Sequence, residues 1–137
     1  DQPRSRGLGD VYKRQQEGSS TRVIDESVAD QVKNAMESVA EGYSKVVNVK
    51  GYRIAAKTGT AEVAGSDGRL TSIVADFAGM IPADNPRFAI TVIMKDPQGT
   101  YGGMTAGPVF AKIGEFLMQK YNVPTSSPRN DAIAVDW

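Results

Sequence analysis

Lys57, Thr58, Gly59 and Thr60 stand in a row within GYRIAAKTGTAEVA, residues 51–64, in a chain that has neither histidine nor cysteine. A lysine beside two hydroxyls can hold a carboxylate through charge-assisted and neutral hydrogen bonds. A glycine inside a strand weakens the sheet and marks a place where a ligand or another backbone comes close. If that strand lies at a sheet edge, its free N–H groups can take an extended peptide or hold an oxyanion. A plainer reading of the same residues is an exposed edge whose lysine guards against aggregation. Gly51 to Thr58 also stands one residue away from the phosphate loop G-x-x-x-x-G-K-T. Ala56 occupies the place of the second glycine, however, and Gly59 interrupts the helix that loop requires.

The absences narrow the chemistry. Without histidine a Ser-His-Asp triad and His-ligated metals are excluded within the chain, and without cysteine so are thiol nucleophiles, thiolate metal sites and disulfides. Sixteen basic residues balance 16 acidic ones, so the positive footprint of a nucleic-acid binder is missing. A hydrophobic share of 40% with 23% charged residues fits a folded globular domain. No apolar run approaches the roughly 18 residues of a membrane span. Residue 1 is Asp, and the 137 residues are expected to be a piece of a longer protein.

The elements that must position the lysine and threonines can be read from periodicity. Residues 1–20 lack any period; they read as a leader foreign to the domain, either flexible or artefactual, since RSRGLGDVYKRQ resembles translated adaptor sequence. Val28, Val32, Ala35, Met36 and Val39 recur at helical steps, with Asp25 as cap and Gly42 as stop. Lys45 to Val49 reads as extended, and Lys50-Gly51 turns the chain. Tyr52 to Val63, LTSIVADFAGMIP and RFAITVIMK read as strands, separated by the turns SDG and PADNP. A last helix is expected with Thr105 as cap, Pro108 in its first turn, Lys120 near its negative end, and Ala106, Val109, Phe110, Ile113, Phe116 and Leu117 on its buried face. Met36, Met80, Met94, Met104, Met118, Phe77, Phe88, Phe110 and Phe116 are expected in the core. The fold class is α/β (α+β), an antiparallel sheet flanked by helices on one or both faces. Residues 122–137 form an extended or loose tail.

KTGTA, FAGMIPADNPRFAI and YGGMTAGPVF, in that order, resemble the carboxyl-terminal end of a penicillin-binding protein transpeptidase domain. The resemblance runs from about Thr21 to about Tyr121 and is closest to the class B, cell-division type of peptidoglycan D,D-transpeptidase. It implies the penicillin-binding/β-lactamase-like transpeptidase fold. It also implies a serine enzyme that needs no histidine, metal or cofactor. In that family the serine of Ser-x-x-Lys attacks the penultimate D-Ala carbonyl of a stem peptide, with a Ser-x-Asn motif assisting, and β-lactams trap the same serine.

By this resemblance Lys57 supplies positive charge and serves the proton network, while Thr58 and Thr60 hold the terminal carboxylate of a stem peptide or β-lactam. Gly59 leaves the strand open, and the N–H of Thr60 is an oxyanion donor. Tyr101 reaches the cleft rim, unless it only packs its loop. Glu62 departs from the amide that many relatives carry. No serine here has lysine three residues on or asparagine two residues on, so the nucleophile lies outside the chain and the 137 residues alone should not acylate. The resemblance further implies anchoring in the cell membrane, with the enzyme on the extracytoplasmic face, and a septal glycan polymerase and other division proteins as partners. A non-catalytic binding module of the same fold, or a carboxypeptidase or β-lactamase, remains open. Cut from its neighbours, the sheet should expose an edge and an apolar face and be marginally stable.

Overall fold

Alternating apolar residues and short turns fold the centre of the chain into a three-stranded antiparallel meander. The computed structural model describes residues 21–98 and 101–133. Helix α1 (Glu26–Gly42) is followed by β1 (Ala55–Ala64), β2 (Leu70–Ile81), β3 (Phe88–Lys95) and helix α2 (Gly102–Lys120). The strand order is β1-β2-β3, so β1 is an edge among the described residues. The register sets Lys57 opposite Ala78, Thr58 opposite Phe77, Gly59 opposite Asp76 and Thr60 opposite Ala75. The β1–β2 hairpin closes through Gly65 N–H to Arg69 O and Gly68 N–H to Gly65 O. Gly68 sits at φ 78°, a conformation side chains resist, as the SDG turn requires.

Because side chains alternate, the sheet has two unlike faces. Ala56, Phe77, Ile81 and Val92 lie on one face and are packed with Ala40, Ala106, Phe110 and Met118 of the two helices. Phe77 meets Phe110 edge-on at 5.0 Å and Tyr43 at 6.4 Å. The other face carries Lys57, Gly59, Ala61, Val74, Asp76, Ala78, Met80, Ile93 and Lys95. Neither helix contributes to a core there, and Ile93 is 68% exposed.

Three expectations need correction. First, α2 begins at Gly102 with Tyr101 as cap, so Thr105 and Pro108 lie inside it. Its buried side is Gly102, Gly103, Ala106, Gly107, Phe110, Ala111, Gly114 and Met118. These small residues let the helix axis approach the sheet closely, and the bulkier Phe116 and Met104 are left 58% and 57% exposed. Second, Lys45 lies in turns rather than an extended segment, with Val46 and Val47 N–H both donating to Tyr43 O. Val47 and Val49 then plug the core, and β1 starts at Ala55, not Tyr52. Third, α1 buries Glu37, Ser38 and Ala40 rather than its valine stripe, and Val28 and Val32 stay exposed.

Polar groups account for that exchange. Glu37, 3% exposed, receives Arg53 through two bonds of 2.5 and 2.8 Å and lies 3.7 Å from Arg129. Arg129 also pairs with Glu41 at 2.8 Å and donates to Ser38 Oγ. The hydrogen bond to Glu37 holds the Arg53 guanidinium above its ordinary pKa, outweighing desolvation. Beyond α2 the chain is extended but pinned. Tyr52 Oη donates to Val123 O, Ser126 N–H to Gly51 O, and Arg53 N–H to Ser126 Oγ. Farther on, Asn34 donates to Asp131 O and Ile133 N–H to Ser38 Oγ. Residues 123–133 thus form a strap across α1 and the approach to β1.

Asp84 anchors this strap by accepting from Ser126 Oγ and Ser127 N–H, at 2.7 and 2.9 Å. Desolvation acts to raise its pKa, but the hydrogen bonds and Arg53 outweigh it and hold the carboxyl below the ordinary 3.8. A depressed folded value means the stabilisation is complete above the unfolded pKa and is lost as pH falls through the folded one. Asp84→Asn is therefore expected to flatten the acid limb of stability below about pH 4, read as urea midpoints against pH.

Candidate functional site

The hydrophobic pattern of β1 holds Ala55 and Ala56 in the protein interior, and the strand then runs outward, with Thr58 and Gly59 half-buried and Lys57 and Thr60 to Ala64 exposed. Alternation puts Lys57 and Gly59 on the uncovered face and Thr58 and Thr60 on the helix side. Lys57 curls around the free edge: its ammonium donates to Thr58 O at 2.9 Å and to Thr58 Oγ1 at 3.3 Å. Lysine and threonine hydroxyl therefore meet at the rim of the sheet. With no strand beyond β1 among the described residues, its outward N–H groups are open to an extended ligand.

Gly102 ties the other end of the motif to α2. Its N–H, one of the helix's orphan donors, bonds Thr60 Oγ1 at 3.3 Å. The Thr60 hydroxyl acts as an acceptor there, and its own proton remains available to a carboxylate. Thr60→Val keeps the shape and deletes that acceptor. It is expected to cost about 1 kcal/mol, visible as a lower urea midpoint. Tyr101 precedes this contact, and its carbonyl accepts from Met104 N–H, Thr105 N–H and Thr105 Oγ1. Its side chain is 67% exposed at the end of the helix nearest Thr60. So the structure gathers Lys57, Thr58, Thr60 and Tyr101 along one edge.

Gly59 has a reason to be glycine that the linear motif does not reveal. A Cβ there would lie 2.2 Å from Asp76 Oδ2 and 2.6 Å from Asp76 Cγ. The Asp76 carboxylate thus lies over Gly59, on the face that carries Lys57. Sequence reasoning missed Asp76, because only the strand register brings residue 76 to residue 59. A cavity of about 200 Å³ lies between α1 and Arg53, away from this edge. Among the described residues no group of three acidic side chains could hold a metal, and no helix is long and apolar enough to cross a membrane.

Comparison with known proteins gives a consistent picture. Residues 5–115 match the family described as the penicillin binding protein transpeptidase domain. The match thus begins within the stretch set aside as a leader, which lies outside the described residues up to residue 20. Peptidoglycan D,D-transpeptidase FtsI of Escherichia coli is 44% identical over 107 residues, 74% of this chain and 18% of that protein. Stage V sporulation protein D of Bacillus subtilis is 37% identical over 108 residues, 75% of this chain and 17% of its own. A peptidoglycan synthetase from Bifidobacterium adolescentis superposes with a TM-score of 0.80 at 68% identity, covering 90% of this chain and 23% of that one. Penicillin binding protein 3 of Mycobacterium tuberculosis, solved in complex with ampicillin, gives 0.69 at 31% identity, over 82% and 28% of the two chains. The chain therefore spans about a fifth of the length of the curated relatives it matches.

Proposed function

This chain belongs to the penicillin-binding protein transpeptidase family, and on that premise we propose that it is the KTG-bearing part of a class B peptidoglycan D,D-transpeptidase. The observation that carries the reading is Lys57-Thr58-Gly59-Thr60 on an open edge strand, with ammonium and hydroxyl together at the rim and α2 buttressing Thr60. The donor stem peptide lies along this edge. Its terminal carboxylate is held by Thr58 and Thr60, Lys57 adds positive charge and serves the proton network, and Tyr101 borders the cleft.

A serine outside these 137 residues attacks the penultimate D-Ala carbonyl, and the oxyanion that forms takes a hydrogen bond from the Thr60 N–H. Collapse forms the acyl-serine ester and expels the terminal D-Ala with a proton on its amine. The amine of a second stem peptide then displaces the serine, forming the cross-link and returning the proton. A single donor of this kind is worth roughly 3 kcal/mol of barrier. No cofactor is required. The complete enzyme is anchored in the membrane, works on its extracytoplasmic face, and acts with a septal glycan polymerase and other division proteins.

The test is covalent labelling of the full-length protein with a fluorescent penicillin. A label that survives denaturation and persists for hours, absent from the 137-residue chain alone, is the expected result. Absence of label on the full-length protein would leave a non-catalytic binding module instead, and rapid release of hydrolysed drug would make it a hydrolase.

A further inference from the structure

The uncovered face of the sheet holds a charge with no partner. Asp76 is half-buried in the central strand, yet its carboxylate makes no hydrogen bond or ion pair among the described residues. A carboxylate partly removed from water without a partner costs free energy, and the packing of the two helices on the opposite face gains nothing from it. The chain nevertheless leaves it room: Gly59, its cross-strand neighbour, lacks the Cβ that would collide with both carboxylate oxygens, at 2.2 and 2.6 Å.

Two cations share this face. Lys57 stands opposite Ala78, and Lys95 stands opposite Val74, so each lies diagonal to Asp76, one on either side. Diagonal neighbours are about 7–8 Å apart, within reach of a long side chain. Lys57 now bends around the sheet edge to Thr58, on a flexible stem that can instead lie over Gly59 toward Asp76. Only on that side does glycine clear the path between ammonium and carboxylate.

We propose that Asp76 is a positioning residue of the KTG site, drawing the Lys57 ammonium over Gly59 and onto the uncovered face of the sheet rather than around its edge. This rests on the transpeptidase reading for its catalytic consequence, not for the contact itself. Gly59 then serves two partners at once, a ligand on the edge and a carboxylate on the face.

The experiment is a double-mutant cycle in the full-length protein, combining Asp76→Asn with Lys57→Met and, separately, with Lys95→Met. The readout is penicillin acylation resolved into the initial complex and the acylation step, beside urea unfolding of every variant. Asp76→Asn is expected to slow acylation roughly tenfold while lowering the unfolding midpoint only by as much as a partly exposed ion pair is worth, and Asp76→Glu to restore part of both. The effect should vanish in the Lys57→Met background and persist in the Lys95→Met background. Where Lys57→Met leaves no measurable acylation, coupling is read from the same cycle in unfolding. Equal losses in both backgrounds, coupling to Lys95 alone, or no effect of Asp76→Asn would overturn the proposal. A wild-type protein that penicillin never labels would instead sink the transpeptidase reading, and the Asp76–Lys57 coupling would still be scored by unfolding.

Discussion

Gly102→Ala is expected to destabilise the fold by about 3 kcal/mol or more, the upper end of what overpacking costs. The added methyl would lie 2.2 Å from Asp76 O, 2.4 Å from Gly59 O and 3.0 Å from Asp76 N. All three are backbone atoms of paired strands, so no rotamer change relieves the collision. Either the start of α2 lifts away, losing the Gly102 bond to Thr60, or β1 and β2 shift at the KTG glycine. Gly103→Ala makes an instructive contrast, because its closest contact, at 2.2 Å, is the ring of Tyr43, a side chain rather than the sheet backbone. Gly68→Ala meets nothing within 4 Å and strains only its left-handed φ, about 1–2 kcal/mol. Urea unfolding of the three variants should rank them with Gly102→Ala the most damaging. Gly102→Ala with a wild-type midpoint would mean that α2 does not sit against the sheet as described.

Glu37→Gln should cost about 3 kcal/mol, although it changes the side chain's shape little. The carboxylate is 3% exposed and faces two guanidiniums, Arg53 and Arg129, whose side chains are themselves largely withdrawn from water. Removing its charge leaves both cations under-compensated in a site largely withdrawn from water, which is where broken ion pairs are expensive. The loss stays at the lower end of the range because Arg129 keeps Glu41 and Asp131, and Arg53 keeps Asp131. Glu41→Gln removes the same charge from an exposed position and should move the midpoint by less than about 1 kcal/mol. A comparable loss from both variants would show that net charge, rather than burial of Glu37, governs this cluster.

Much of the sheet was legible because its signals are local. The turn SDG, the double proline of PADNP and the β-branched runs between them located three strands, and the KTGT run put lysine and hydroxyls on one edge. The start of α2 was misjudged for a physical reason. Gly102-Gly103 looks like a helix breaker in one dimension, whereas in three it is what allows a helix to begin in contact with two strand backbones. The same preference for small residues misled the reading of the helix's buried side, where Ile113 and Phe116 have the expected period but the glycine side faces the sheet. The valine stripe of α1 gave a similar false lead. Its neighbour Glu37 is buried because arginines 16 and 92 residues away reach it. Such partners follow no period. Asp76 was invisible for the same reason, since nothing short of the register links it to Gly59.

The strap of residues 123–133 has a consequence for time rather than for equilibrium. Its hydrogen bonds to α1 join positions 91 to 97 residues apart, among them Arg129 with Ser38, Ile133 with Ser38 and Asn34 with Asp131. Closing so long a span offers little reward until the sheet and both helices already hold its ends near one another. Such contacts belong to the late side of the folding barrier, where they leave the rate of folding nearly untouched and slow the rate of escape. The last residues to find their places are thus the ones that set how long the folded chain endures.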